Sequence, residues 1–96
     1  MMLSHAGVDV NQGTTDSGAT ALFIACSQGH PAIVEVLLAR DEIAVNQART
    51  DDGLTPLHSA AFNGHLATAQ LLSVYGASLT AVDHEGETPA QVAATD

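Results

Sequence analysis

The chain has 96 residues, of which 46% are hydrophobic and only 3% aromatic, a composition that suits one small globular domain. Two basic residues against eleven acidic ones give a formal net charge of −9, and no lysine is present. Phosphate backbones and anionic lipid surfaces repel such a chain, so we expect no nucleic-acid partner and no membrane partner.

Cysteine content and apolar run length bear on the compartment. Cys26 is the single cysteine and has no partner for an internal disulfide, and no Asn-x-Ser/Thr sequon occurs. The apolar runs are shorter than the roughly 18 residues needed to cross a bilayer, and the first residues lack the basic start of a secretory signal. We therefore expect a cytoplasmic or nuclear protein.

The sequence repeats itself at a shift of 35 residues. A third copy follows 33 residues after the second, beginning at Asp83. This periodicity divides the single domain into a partial repeat end (1–14), two repeats (15–49 and 50–82) and a second partial repeat (83–96). Identical pairs across the first shift include Asn11/Asn46, Gly18/Gly53, Thr20/Thr55, Leu22/Leu57, Gly29/Gly64 and His30/His65.

Each repeat is predicted to contain two short helices. In the first repeat, the second helix is marked by an apolar segment from Ile33 to Leu38. In the second repeat, Thr55-Pro56 places a capping hydroxyl before a proline at the first helical position, and Asn63-Gly64 ends that helix. A further helix is predicted from about Leu66 to Tyr75, with Ala69, Leu71 and Leu72 facing inward.

The segment from Ala77 to Gly86 has turn residues and no helical period, so we expect an extended loop or hairpin that projects from the helix pair. Helices this short are marginal in isolation, which means that the units must stack on one another to bury their apolar faces.

These features resemble the ankyrin repeat, whose signature runs Asp-x-x-Gly-x-Thr-Pro-Leu-His-x-Ala-Ala-x-x-Gly-His. The second repeat fits it from Gly53 to His65, whereas the first has Ala21 in place of the proline and Phe23 in place of the histidine. The resemblance covers nearly the whole chain. It implies an all-α solenoid of stacked helix-turn-helix units with projecting hairpin loops, and a structural hydrogen bond for His58.

The residues that could carry chemistry have simpler structural interpretations. His30 and His65 recur at the same place in successive repeats, and Cys26 stands where the second repeat has the packing residue Ala61. Asp51-Asp52 and Glu85-x-Glu87 lie on loop tips without an apolar pocket to separate their pKa values. We therefore expect no catalytic residue, no metal site and no cofactor, and we expect His5 and His84 to face solvent.

Function is then expected on the concave side, where the loops and first helices line up and the signature leaves positions open. Leu54 and Phe62 are apolar side chains that the repeat core does not require, and acids surround them, an arrangement typical of an anchor with a charged rim. The acids favour a partner protein with a basic segment. The predicted contact residues are Asp16, Ser17, Gln28, Arg49, Asp51, Asp52, Leu54, Phe62, Asn63, His84, Glu85 and Glu87.

Two alternatives stay open at this level. Asn11 and Asn46 each follow a leucine by eight residues and resemble asparagines hydroxylated in animal ankyrin repeats, although a structural role in the turn is the commoner one. The chain could also be a structural segment of a longer array, or a scaffold that self-associates through its open repeat ends, where Met1, Met2 and Leu3 lie.

Overall fold

The computed structural model describes residues 10–94, and the predictions made for residues 1–9, including Met2, Leu3 and His5, lie outside that range. Within it the regular structure is entirely α-helical, which confirms the all-α prediction. None of these helices is long and apolar enough to cross a membrane. The helices are α1 (Ala21–Gln28), α2 (Pro31–Leu38), α3 (Pro56–Phe62), α4 (Leu66–Val74) and α5 (Pro89–Ala94).

A threonine caps the first helix of each complete repeat, as the Thr55-Pro56 pattern predicts. The Thr55 hydroxyl accepts a hydrogen bond from the His58 N–H, and the His58 ring accepts one in return from the Thr55 N–H. Thr20 caps α1 through the N–H of Phe23 and has the same backbone angles as Thr55. The two repeats therefore start their first helices with one geometry, with or without the proline.

The helices form two rows. α3 packs between α1 and α5, which gives a row of first helices, and α2 packs against α4, which gives a row of second helices. The core lies between the rows and includes the fully buried Leu22, Cys26, Val34 and Leu72. Cys26 thus occupies the packing position expected for it.

The prediction that Ala69, Leu71 and Leu72 face inward is confirmed, because Leu72 lies in the core and the other two pack against it; the burial of Thr68 was not predicted. α4 buries Thr68 and Leu72, while Ala69 and Leu71 are only half-buried. Ile33, which the 35-residue shift aligns with Thr68, is largely exposed on α2. The reason is that α2 and α4 are packed against each other, so the face of each that looks toward the other is covered and its opposite face is not.

A tight turn precedes each first helix. Backbone hydrogen bonds close these turns from Thr14 to Ala19, from Arg49 to Leu54 and from Asp83 to Glu87. The third turn encloses one residue fewer than the others, which accounts for part of the shorter spacing seen in the sequence. Successive turns are joined through main-chain atoms, the N–H of Thr50 to the carbonyl of Ser17 and the N–H of His84 to that of Asp52, both at 2.9 Å.

Candidate functional site

The main depression lies between the second and third turns, beside α3 and α5, and encloses about 410 Å³. We call it the acidic cleft. Three apolar side chains form part of its wall, and acidic side chains with one histidine form the rest. Its lining residues are Asp51, Asp52, Leu54, Phe62, Asp83, His84, Glu85, Glu87 and Val92.

Asp52 is held within its own turn. Its carboxylate accepts hydrogen bonds from the Arg49 guanidinium and from the Leu54 N–H. Partial burial opposes ionisation of Asp52, but these hydrogen bonds outweigh it and the pKa of Asp52 lies below its usual value. The same hydrogen bond to Asp52 raises the pKa of Arg49. Asp52 therefore shapes the second turn, and part of its charge is neutralised.

Asp83 has the corresponding role in the third turn. Its Oδ1 accepts hydrogen bonds from the N–H groups of Glu85 and Glu87, each at 2.9 Å, and the side chain is almost fully buried. The acids that remain open to the cleft are Asp51, Glu85 and Glu87. The carboxylates of Glu85 and Glu87 accept no hydrogen bond and form no ion pair within residues 10–94.

His58 fixes the rim of the cleft from inside the protein. Its ring is fully buried, its Nδ1 accepts from the Thr55 N–H at 3.1 Å, and its Nε2–H donates to the Glu87 carbonyl at 2.8 Å. Only the tautomer with the proton on Nε2 satisfies both partners, because one is a donor and the other an acceptor. The structural hydrogen bond implied for His58 by the family resemblance is thus present, and it connects α3 to the third turn.

A second depression of about 250 Å³ lies one repeat earlier, between α1 and α3. We call it the Arg49 cleft. The Arg49 guanidinium carbon lies 4.6 Å from the centre of the Phe23 ring, a cation–π contact. The Arg49 cleft shares Leu54 and Phe62 with the acidic cleft, so these two side chains stand between the depressions. It is lined by Phe23, Ser27, Arg49, Leu54, Ser59, Phe62 and Asn63.

Nine of the twelve predicted contact residues line one or both clefts, and three line neither. Asp16, Ser17 and Gln28 are the exceptions. Asp16 is engaged locally, where a hydrogen bond with the Thr14 side chain and another from the Ser17 N–H lower its pKa. The Ser17 carbonyl accepts a hydrogen bond from the Thr50 N–H of the second turn. Phe62 is 48% exposed and His84 is exposed, as expected.

Five lining residues are not among the twelve predicted contacts: Phe23, Ser27, Ser59, Asp83 and Val92. Asp83 and Phe23 stand at signature positions, which were assigned to the turn and the core rather than to the surface. For Asp83 a signal did exist, because an acid at the start of a turn is followed here by two further acids within four residues.

The two asparagines bridge successive repeats through their side chains. The Asn46 amide donates to the Gly76 carbonyl and its oxygen accepts from the Ser78 N–H. Asn11 bonds in the same way to the Glu42 carbonyl and the Ala44 N–H. These bonds support the structural role that was weighed against modification.

The groups that could act as a nucleophile or as metal ligands are Cys26 and the histidine and acidic side chains. Burial raises the pKa of the Cys26 thiol to about 12, so the reactive thiolate is suppressed in the folded protein. Within residues 10–94 no group of three or more histidine, cysteine or acidic side chains is arranged to hold a metal ion.

Comparison with known proteins agrees with the repeat pattern. A family model described as ankyrin repeats (3 copies) matches residues 1–83 and 41–96, which together span the chain. None of the curated proteins compared with the chain gives a significant match. Ankyrin repeats are in general non-catalytic modules for binding other proteins. With its capped helix pairs, its repeated turns and this match along its length, the chain belongs to the ankyrin repeat family.

Proposed function

We propose that this chain is a non-catalytic binding module that holds a basic segment of a partner protein in the acidic cleft. The observation that carries the proposal is the composition of the cleft, in which Leu54 and Phe62 lie beside the exposed Asp51 and beside Glu85 and Glu87, whose carboxylates form no ion pair within residues 10–94. An apolar anchor with a charged rim supplies both burial on binding and selection of the partner's charge. The finer picture of an ankyrin solenoid with a concave binding face is part of the same proposal.

The charge distribution supports a basic partner rather than an acidic one. The chain has only two cationic side chains, and both are paired with acids: Arg49 with Asp51 and Asp52, and Arg40 with Glu42. An approaching basic segment therefore meets net negative potential at the cleft, and salt weakens that attraction.

The test is a pull-down from cell extract at two salt concentrations with a cleft variant, Asp51→Lys/Glu85→Lys/Phe62→Ala. These three side chains are exposed, so the variant should keep the helicity of the wild type. The matched control is Glu35→Lys/Asp41→Lys/Val36→Ala, which changes the net charge equally and truncates an exposed apolar side chain outside both clefts.

We expect a protein that is retained by the wild type and the control, lost with the cleft variant and weakened by salt. If the two variants retain the same proteins as the wild type, the acidic cleft is not the binding site and the proposal fails.

A second candidate function is self-association, and exposed apolar residues on α4 favour it. Leu66 is 71% exposed and Val74 is 80% exposed, so both offer apolar surface that a second copy of the chain could bury. Sedimentation over a range of concentrations tests this candidate. A dimer that persists in Phe62→Ala and disappears in Leu66→Ser/Val74→Ser supports it, and a monomer at all concentrations excludes it.

A further inference from the structure

The protein contains an internal example of how an arginine is held on this face. The guanidinium of Arg49 lies over the Phe23 ring, 4.6 Å from its centre, while its edge donates to Asp52 and its Nε lies 3.6 Å from Asp51. The planar cation thus uses its face for the ring and its edge for carboxylates, which is the arrangement that guanidinium geometry favours.

The acidic cleft presents the same kinds of group, an aromatic ring and carboxylates, and two of its carboxylates, on the third turn, are paired with no cation within residues 10–94. Phe62 is about half exposed there, and Glu85 and Glu87 have carboxylates that no cation contacts within residues 10–94. The only arginine near this face is Arg49, and its guanidinium is already directed to Phe23 and the two aspartates.

The rim that carries these carboxylates is fixed before any ligand arrives. The Glu87 carbonyl accepts from both the His58 Nε2–H and the Asp83 N–H, and the Glu87 N–H donates to the Asp83 carboxylate. Little of the backbone then has to be ordered on binding, so the interaction is not weakened by that entropic cost.

We propose that the acidic cleft recognises an arginine side chain of the partner, with the guanidinium stacked on Phe62 and its edge hydrogen-bonded to Glu85 or Glu87. This inference rests on the proposed function, because it names the side chain that the basic segment inserts. Arginine is selected over lysine because an ammonium is a compact, strongly hydrated charge that gains less from the aromatic face and cannot donate in a planar fork.

The experiment titrates the full chain with three pentapeptides, acetyl-Gly-Gly-X-Gly-Gly-amide, in which X is arginine, lysine or citrulline, and follows the backbone amides by NMR. Citrulline keeps the shape of arginine and removes its charge. We expect the arginine peptide to shift the amides of Leu54, Phe62 and Glu87 and to bind roughly fivefold more tightly than the lysine peptide, with no binding by citrulline.

Two substitutions at Phe62 test whether its aromatic ring is responsible for the preference for arginine. Phe62→Leu removes the aromatic face and should bring the ratio of the arginine and lysine dissociation constants close to one, whereas Phe62→Tyr should preserve the ratio. Because Phe62 lies half exposed at the end of α3, neither change should disturb folding, which circular dichroism checks.

The outcomes separate the two proposals. If lysine and arginine peptides bind equally and both are lost in Asp51→Lys/Glu85→Lys, the cleft selects charge alone and the arginine inference is overturned while the proposed function stands. If neither peptide shifts amides of the cleft, the arginine inference is also overturned, and the pull-down decides the proposed function independently.

Discussion

Phe23 and His58 occupy the same position in two successive repeats, yet they connect their helices to the following turn by different chemistry. Phe23 receives the Arg49 guanidinium on its ring, and His58 donates a hydrogen bond to the Glu87 carbonyl. What the repeat requires at this position is therefore a link to the next turn, rather than one particular side chain.

The difference has a consequence for the surface. In the first repeat the link is made by a side chain that lies across the face and occupies part of the Arg49 cleft. In the second repeat the link is made underneath, by a buried ring and a backbone carbonyl, so that Phe62 stays about half exposed and lines the acidic cleft together with the half-buried Leu54. The open cleft thus exists where the buried histidine is.

The strongest test of this comparison removes the buried link. His58→Ala leaves the Thr55 N–H and the Glu87 carbonyl without their partner and opens a cavity, so we expect a loss of about 3 kcal/mol in the free energy of unfolding. Urea denaturation followed by circular dichroism measures it. His84→Ala, at an exposed histidine of the cleft, is the control and should change stability by less than about 0.5 kcal/mol. Equal effects of the two substitutions would show that His58 is not the link.

Alanine substitutions at two equivalent glycines, which follow the first helices of the two repeats, compare how closely the next residues pack there. Gly29 and Gly64 both have positive φ, but a Cβ at Gly29 would lie 2.6 Å from the His65 ring, whereas one at Gly64 would have no atom within 4 Å. Gly64→Ala should cost about 1 kcal/mol from backbone strain alone, and Gly29→Ala about 2 kcal/mol because the ring must also move. Thermal unfolding of both variants provides the measurement, and equal losses would argue against close packing of His65 on Gly29.

The first repeat has the titratable Cys26 where the second has Ala61, so only the first repeat contributes a pH-dependent stability from this position. Because burial raises the pKa of Cys26 to about 12 and a thiol in the unfolded chain has a pKa near 9, the unfolded state loses its proton first as pH rises. Stability from this group is therefore complete below pH 9 and is lost between 9 and 12, roughly 1 kcal/mol of it between pH 8 and 10. Denaturation at both pH values should show this loss in the wild type and a smaller one in Cys26→Ala. Identical losses would assign the effect to other groups.

The smallest expected effect comes from a substitution that gives the first helix of the first repeat the same proline start as that of the second. Thr20 and Thr55 have identical backbone angles, so Ala21 has a position that accepts proline as Pro56 does. Ala21→Pro should stabilise the protein by about 0.5 kcal/mol by restricting the unfolded chain, and should raise the thermal midpoint by a few degrees. The reverse change, Pro56→Ala, should lower it. A fall in the midpoint of Ala21→Pro would show that the first turn of α1 needs the Ala21 N–H.

Local signals in the sequence predict much of this fold. Thr55-Pro56 predicts the start of α3 because the cap and the proline act within one turn, and Gly64 predicts its end for the same reason. The periodicity predicts two rows of helices because each repeat must pack on the next. Exposure of Phe62 follows from its position outside the signature.

Features that depend on three-dimensional neighbours could not be predicted in this way. Burial of Thr68 rather than Ala69 depends on which face of α4 meets α2. Asp52 reads as a free surface acid in the sequence, but its carboxylate is taken up by Arg49 and the Leu54 N–H only once the turn has closed. The separation of the face into two clefts depends on Leu54 and Phe62, which line both and stand between them.

The turns are joined to each other through main-chain atoms, Thr50 to Ser17 and His84 to Asp52. Every amino acid except proline supplies such a donor, and every one supplies such an acceptor, so these joints place few demands on side-chain identity. Side chains at the exposed tips are accordingly open to substitution at little cost to assembly. A library that randomises Asp51, His84 and Glu85 while leaving the rest of the chain intact should therefore yield mostly folded members.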